Sequence, residues 1–316
     1  TYAENLVWPN TTGIMLAGIA GASSLDVMID GGGLGAVITI DQAVSASITN
    51  LTIQNGSNGA VAGGGGMYVG FNVSFLGLNG VNISANFAVG SGGGLFLDGN
   101  NAYWIEDCAF YSNTANVAGA ILGPSNLYLS SVIFSLNAAA ANGGAIALTR
   151  PGANNEDNPV TMSYVQFISN RAGGHGAAVH SIEPVYISNS LFDGNEVTNN
   201  GSGGALYISG NFTILSSSFN ANIVTGNFSD NGFGGAIYVF SGAGDTRGNL
   251  SLVDFTGNLA GNMADYDVRG GAMHLDLPLA SSGAPYAVTM SNVLFDSNGI
   301  TSDGAATGGL IARGGA

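Results

Sequence analysis

The chain has 316 residues, a formal net charge of −15, and only 8% charged against 46% hydrophobic residues. That much apolar content excludes a disordered segment. With no lysine and five scattered arginines, Arg150, Arg171, Arg247, Arg269 and Arg313, the chain lacks the basic stripe that nucleic acid or an anionic membrane surface requires. Its 52 glycines against 7 prolines break every apolar run, so no transmembrane segment is expected and a fold that turns every few residues is.

Residues 1–49 read as opening coils, and residues 50–316 carry an internal repeat. A Phe-x-x-Asn tetrad recurs at Phe110/Asn113, Phe134/Asn137, Phe167/Asn170, Phe192/Asn195, Phe219/Asn222, Phe255/Asn258 and Phe295/Asn298. A glycine pair and a short apolar alternation follow each one, as in Gly143-Gly144-Ala145-Ile146 and Gly234-Gly235-Ala236-Ile237. Looser copies lie at 64–67, 92–95, 119–121, 176–179 and 308–310. Within a unit the apolar period is two, which means strand. Three short strands per unit, no helical run and right-handed crossovers predict one all-β domain over 1–316: a single-stranded right-handed parallel β-helix of about ten coils.

The repeat predicts its own packing. Phenylalanines in register should stack about 4.8 Å apart inside the coil. The asparagines should form a second ladder, accepting left-handed backbone at the turn while their amides bond the coils above and below. The glycine pair should supply a turn with positive φ. Cys108 shares a slot with Val132, Val165, Val253 and Val293 and reads as a buried thiol; as the sole cysteine it forms no internal disulfide.

The pairing of Gly-Gly-Ala-(Ile/Leu) with Phe-x-x-Asn resembles the polymorphic outer-membrane-protein repeat family over roughly residues 50–316. The resemblance implies a β-helical passenger exposed on a cell surface, often adhesive, with no catalytic residues to carry over. Tyr2, Glu4-Asn5-Leu6 and Ile29-Asp30-Gly31 resemble the opening coil of many secreted β-helices.

Catalytic signals are thin. Gly174-His175-Gly176 is similar to a short polygalacturonase motif, but the Asn-Thr-Asp, Asp-Asp and Arg-x-Lys motifs of those enzymes are missing, and no acidic column recurs for paired-carboxylate chemistry. No cofactor is expected. A weak calcium candidate is Asp265 with Asp267, although two acids fall short of the roughly 6–8 oxygens calcium takes; Asn154–Asn158 reads as a solvated loop.

Binding signals are stronger. After the glycine pair, Met67, Leu95, Ile146, Val179, Leu206, Ile237 and Met273 should point inward. By alternation Tyr68, Phe96, Ala147, His180, Tyr207, Tyr238 and His274 should point outward. The aromatic and imidazole members predict an exposed stripe for sugar stacking or lateral packing, or else a sheet-stabilising ladder. Asn-x-Ser/Thr sequons stand at Asn10, Asn50, Asn55, Asn72, Asn82, Asn200, Asn211, Asn227 and Asn249. Asn72, Asn211 and Asn249 read as one turn slot shared with Asn126.

Insertions sort onto two turns, one set at 151–159, 242–248 and 277–285, the other at 223–233, 259–269 and 300–307, and are expected to mark a working face. A leader is expected to have been removed ahead of Thr1. A last coil without a capping helix is expected to continue into further chain or to be covered by another subunit. These readings favour a non-catalytic extracellular or cell-surface scaffold or adhesin, whose partner is itself, as oligomer or filament, or a surface glycan or protein. The alternative is a polysaccharide lyase or hydrolase, or a carbohydrate-binding β-helix.

Overall fold

The computed structural model describes every residue except 20–26, 43, 60–62, 100, 125, 151–158, 200, 227–231, 242–245, 263–267, 278–286, 303–304 and 308–316. The chain is a parallel β-helix, with strand, turn and bend throughout the described residues. One middle coil illustrates the course. Phe75–Asn79 and Asn82–Ser84 form the first face, Phe87–Ser91 the second and Leu95–Leu97 the third. Each strand pairs in parallel with its equivalent one coil away, so Leu78 faces Ile48 on one side and Ile105 on the other. Among the described residues the second and third faces are 10-stranded sheets, the second ending in one antiparallel strand, and the first is an 18-stranded sheet. A coil therefore has the three faces expected, with the first face folded into two strands. Residues 1–49 continue the same ladders, as in Ser45 opposite Phe75.

The fold in the first face sits on a single left-handed residue. Asn50, Asp107, Ser131, Tyr164, Asn189, Ser216, Leu252 and Asn292 all have φ between 47° and 56° in that slot. A second left-handed column lies before the ladder asparagines, at Ala85, Ser112, Leu136, Ser169, Ala221 and Ser297. At the third turn the first glycine of the pair has positive φ, as in Gly143 at 68°. The second is glycine because a Cβ on Gly144 would collide with the Ala177 and Arg171 carbonyl oxygens.

The second left-handed column corrects the expectation that the ladder asparagines themselves take left-handed backbone. Asn113, Asn137, Asn170, Asn195, Asn222 and Asn258 are absent from the positive-φ residues; the residue before each one bends instead. All six are fully buried, at 0% exposure, so they fill the inside of the turn and offer nothing to a ligand. The physical reason is the direction of the side chain. The preceding bend aims each amide inward, where it reaches the asparagine of the next coil.

Two ladders run through the interior. Phe110, Phe134, Phe167, Phe192, Phe219, Phe255 and Phe295 stack with neighbouring centroids 4.5–5.1 Å apart and planes within 16°. Toward the N-terminus Ile83, Ile53 and Ile29 hold that column. Beside it, each buried asparagine amide is saturated. Asn170 Nδ2 donates to Asn195 Oδ1 at 3.0 Å and to the Phe134 carbonyl at 3.0 Å. Its Oδ1 accepts from Asn137 N and Asn137 Nδ2. Asn113 donates in the same way to Asn137 Oδ1 and the Ile83 carbonyl, Asn222 to Asn258 Oδ1 and the Phe192 carbonyl, and Asn258 to Asn298 Oδ1 and the Phe219 carbonyl. The ladder begins at Asn86, which the Phe-x-x-Asn signature passes over because Ile83 holds the aromatic slot.

Candidate functional site

The strand after the glycine pair alternates as expected. Met67, Leu95, Ile146, Val179, Leu206 and Ile237 are buried in the coil interior, and Met273 is partly buried against it. The outward column is not an exposed stripe, however. Phe96, Ala147, His180 and Tyr238 are buried, and Tyr68, Tyr207 and His274 are half-buried. The residue ahead of the glycine turn folds back over this column. Val117 packs near Phe96 and Leu122, His175 lies 4.7 Å from the Tyr207 ring, and Phe233 stacks on Tyr238 and His274 at 5.9 and 4.8 Å. The column is thus the centre of a second, thin packed layer. The signal for it was present: His175/His180 and Phe233/Tyr238 are ring pairs five residues apart spanning a glycine turn.

Phenols of this layer bond carboxylates at its edge. Tyr238 Oη donates to Asp276 Oδ2 at 3.0 Å, and Tyr68 Oη donates to Asp98 Oδ2 at 3.2 Å. Burial, followed by that hydrogen bond, raises the Tyr238 phenol; burial, followed by the Asp276 charge, raises Tyr207. His175 Nδ1 accepts from Ser202 N at 3.1 Å, and burial lowers its pKa. His180 Nδ1 is buried with no hydrogen-bond partner, and burial, then the nearby His175 charge, brings it down to about 4. Both imidazoles are therefore neutral at pH 7 and act as packing rings, against Tyr207.

Cys108 is buried, and burial pushes its thiol up to about 12. Its Sγ accepts from Val81 N at 3.3 Å and donates to the Glu106 carbonyl at 3.0 Å. Ser190 and Ser217 make the same pair of contacts in the same slot.

Among the described sequons, Asn10, Asn50, Asn55, Asn72 and Asn249 are exposed, and Asn82 and Asn211 are half-buried. The Asn55 amide donates to Asp30 Oδ2 at 2.8 Å; bonds from Gln54, Gly32 and Asn55 hold that carboxyl below its usual range. The shared turn slot is corrected by the register. Asn249 stands opposite Thr213, two residues past Asn211. Asn126 aligns with Ala102, hence with Phe75, three residues past Asn72. Asn200 and Asn227 lie outside the described residues, as do Asp265 and Asp267. No cluster of three or more His, Cys, Asp or Glu that could hold a metal occurs among the described residues.

Sequence reasoning missed the exposed apolar side chains of the first face and its bends, which stand in several columns. Trp104, Tyr111, Ile133, Leu136, Tyr164, Leu252 and Leu294 are 42–62% exposed. Trp104 packs on Tyr128 at 4.6 Å and 36°. In register, the outer column that continues from Trp104 reads Tyr128, Thr161, Tyr186, Thr213, Asn249, Thr289. A groove of 280 Å³ opens at Tyr186, with Pro159, Pro184, Asn211, Thr213, Arg247 and Asn249 among its lining. The second face bears a trough of 610 Å³ floored by alanines, with Phe87 and Arg171 at its sides; Arg171 Nε lies 3.6 Å from Glu196 Oε2.

No family model, curated protein or solved structure matches the chain.

Proposed function

We propose that the chain is a non-catalytic extracellular scaffold or adhesive solenoid that makes its contacts through the first face. One observation carries this reading: bulky apolar side chains stand exposed at left-handed bends. Tyr164, Leu252 and Leu136 have φ of 56°, 56° and 57° and are 62%, 58% and 47% exposed. Other coils place Asn50, Ser131 or Asn189 at the first of these bends and Ser112 or Ser169 at the second. A left-handed conformation costs roughly 1–2 kcal/mol in a residue other than glycine and is eased in asparagine by local hydrogen bonding. Tyrosine or leucine there breaks a local rule and also exposes apolar surface, and such violations concentrate at working surfaces. The saturated Phe and Asn ladders support a stiff rod, and the likeness of the tetrads to the polymorphic outer-membrane-protein repeat supports display at a cell surface.

Sedimentation velocity and electron microscopy across a concentration series test the reading. Association that grows with concentration is expected, as filaments or laterally packed rods. The triple variant Leu136→Asn, Tyr164→Asn, Leu252→Asn is expected to fold as stably as the parent and remain a discrete rod. Discrete rods of the parent at every concentration would overturn self-assembly. Unchanged association in the variant would overturn the bends as the contact.

A further inference from the structure

The outer column of the first face has a chemistry of its own. It is aromatic at Trp104 and Tyr128, then alternates Thr161, Tyr186, Thr213, and ends in Asn249 and Thr289. Tyr128 and Tyr186 are two coils apart, about 9.6 Å at the strand spacing of a parallel sheet. Two sugars of an extended β-1,4-linked chain span a comparable length and present the same ring face again after two residues. A pyranose is amphipathic, with an apolar C–H face and a rim of hydroxyls. The groove at Tyr186 has the complementary pattern: Tyr186, Pro159 and Pro184 offer flat apolar surface, while Asn211, Thr213, Asn249 and Arg247 offer hydrogen-bonding groups. The Asn211 Oδ1 accepts from Arg247 N at 2.8 Å and the Asn249 Oδ1 accepts from Thr289 Oγ1 at 3.1 Å, which fixes both amides at the groove wall. The net charge of −15 opposes a polyanion, so the fitting ligand is neutral.

We propose that this column binds a neutral, extended β-1,4-linked polysaccharide laid along the coil axis, its apolar faces packed against the Trp104–Tyr128 pair and Tyr186 and its hydroxyls bonded in the Arg247–Asn249 groove. The proposal rests on the adhesive reading above and supplies its ligand class. Asn211 and Asn249 are also sequons, so a glycan attached at either would fill the same groove.

The chain contains two tryptophans, and they separate cleanly as probes: Trp8 is 6% exposed and Trp104 47%. The test is a fluorescence titration of the whole, unglycosylated chain with cellohexaose, chitohexaose and hexamannuronate. A saturable blue shift with one of the neutral hexasaccharides is expected, with hexamannuronate at least tenfold weaker. Tyr186→Ala and Arg247→Ala are expected to weaken the neutral ligand at least tenfold at an unchanged melting temperature, since both side chains stand outside the core. No shift with any of the three, while acrylamide still quenches Trp104, would overturn the proposal. So would binding of hexamannuronate alone, or full affinity in both variants. Concentration-dependent association is read separately, so failed sugar binding with persistent association would sink this proposal and leave the scaffold reading standing.

Discussion

Two columns run the length of the same coils and are built by opposite rules. The asparagine column, from Asn86 through Asn170 to Asn298, repeats one residue, whereas the outward column of the glycine strand mixes Tyr68, Phe96, Ala147, His180, Tyr207, Tyr238 and His274. The difference lies in the direction of the interaction. An asparagine amide bonds its own equivalent in the next coil, so a foreign residue breaks the chain on both sides. The outward column is packed mainly by residues that fold over it, such as Val117, His175 and Phe233, so each coil can solve its packing separately.

The sharpest way to break that contrast is Asn170→Ala. It strands the Asn137 N–H and one of the two Asn137 Nδ2 hydrogens, whose other bond to the Phe110 carbonyl remains, and it takes the side-chain donor from the Phe134 carbonyl, all in a buried site. At roughly 1–3 kcal/mol for each unsatisfied group, a loss of about 5 kcal/mol is expected. Denaturant melts check it, and a loss below about 1 kcal/mol would mean the ladder is not cooperative. Phe167→Ala, in the neighbouring aromatic ladder, should cost about 4 kcal/mol through its cavity. Hydrogen exchange should then show lost protection at the equivalent strands of the adjacent coils.

In the outward column the expected effect depends on pH. His180 is a base whose folded pKa, about 4, lies below the ordinary 6.5. As pH falls, the unfolded chain therefore protonates first. The stabilisation is whole above pH 6.5 and is lost as pH falls from 6.5 through 4, by on the order of 3 kcal/mol. The facing groups are His175, which is lowered in the same direction, and Tyr207. His180→Phe, which copies the Phe96 solution, should flatten most of this slope and leave stability at pH 7 equal or better, because it removes an unpaired buried nitrogen. A melting-temperature series from pH 7.5 to about 4 checks the sign.

The smallest effect is expected where the two kinds of column give the same answer. Cys108→Val should change stability by less than about 1 kcal/mol, because valine fills that slot in other coils. With its pKa pushed up to about 12, the native thiol should resist alkylation at pH 8 until the chain is unfolded. Rapid native-state labelling would show the first bend opening locally.

Legibility in the sequence followed the same division. The phenylalanine and asparagine ladders could be read from the spacing of Phe-x-x-Asn, because an interaction between equivalents forces identical residues into register. The backbone of that turn could not: Asn113, Asn222 and Asn258 look like bend residues, yet Ser112, Ala221 and Gly257 take the positive φ. Asn86 escaped only because Ile83 replaces the aromatic. Alternation correctly sent His180 and Tyr238 away from the interior. It could not report that His175 and Phe233 turn back to cover them, since cover depends on the path of the preceding turn. The exposed side chains at the two bends were hidden for a related reason: Leu136, Tyr164 and Leu252 look like core residues until their backbone is seen at positive φ.

The sequence by itself determined the parallel β-helix, its approximate coil number, the stacked interior and the buried thiol, because repeated short-range patterns have one way to pair. Only the tertiary structure decided which outward residues meet solvent. It moved the apolar surface from the glycine strand to the first face, where single left-handed residues bend each coil and hold Tyr164 and Leu252 out. Exposure depends on what the rest of the chain lays over a position, and that is a property of the assembled coils.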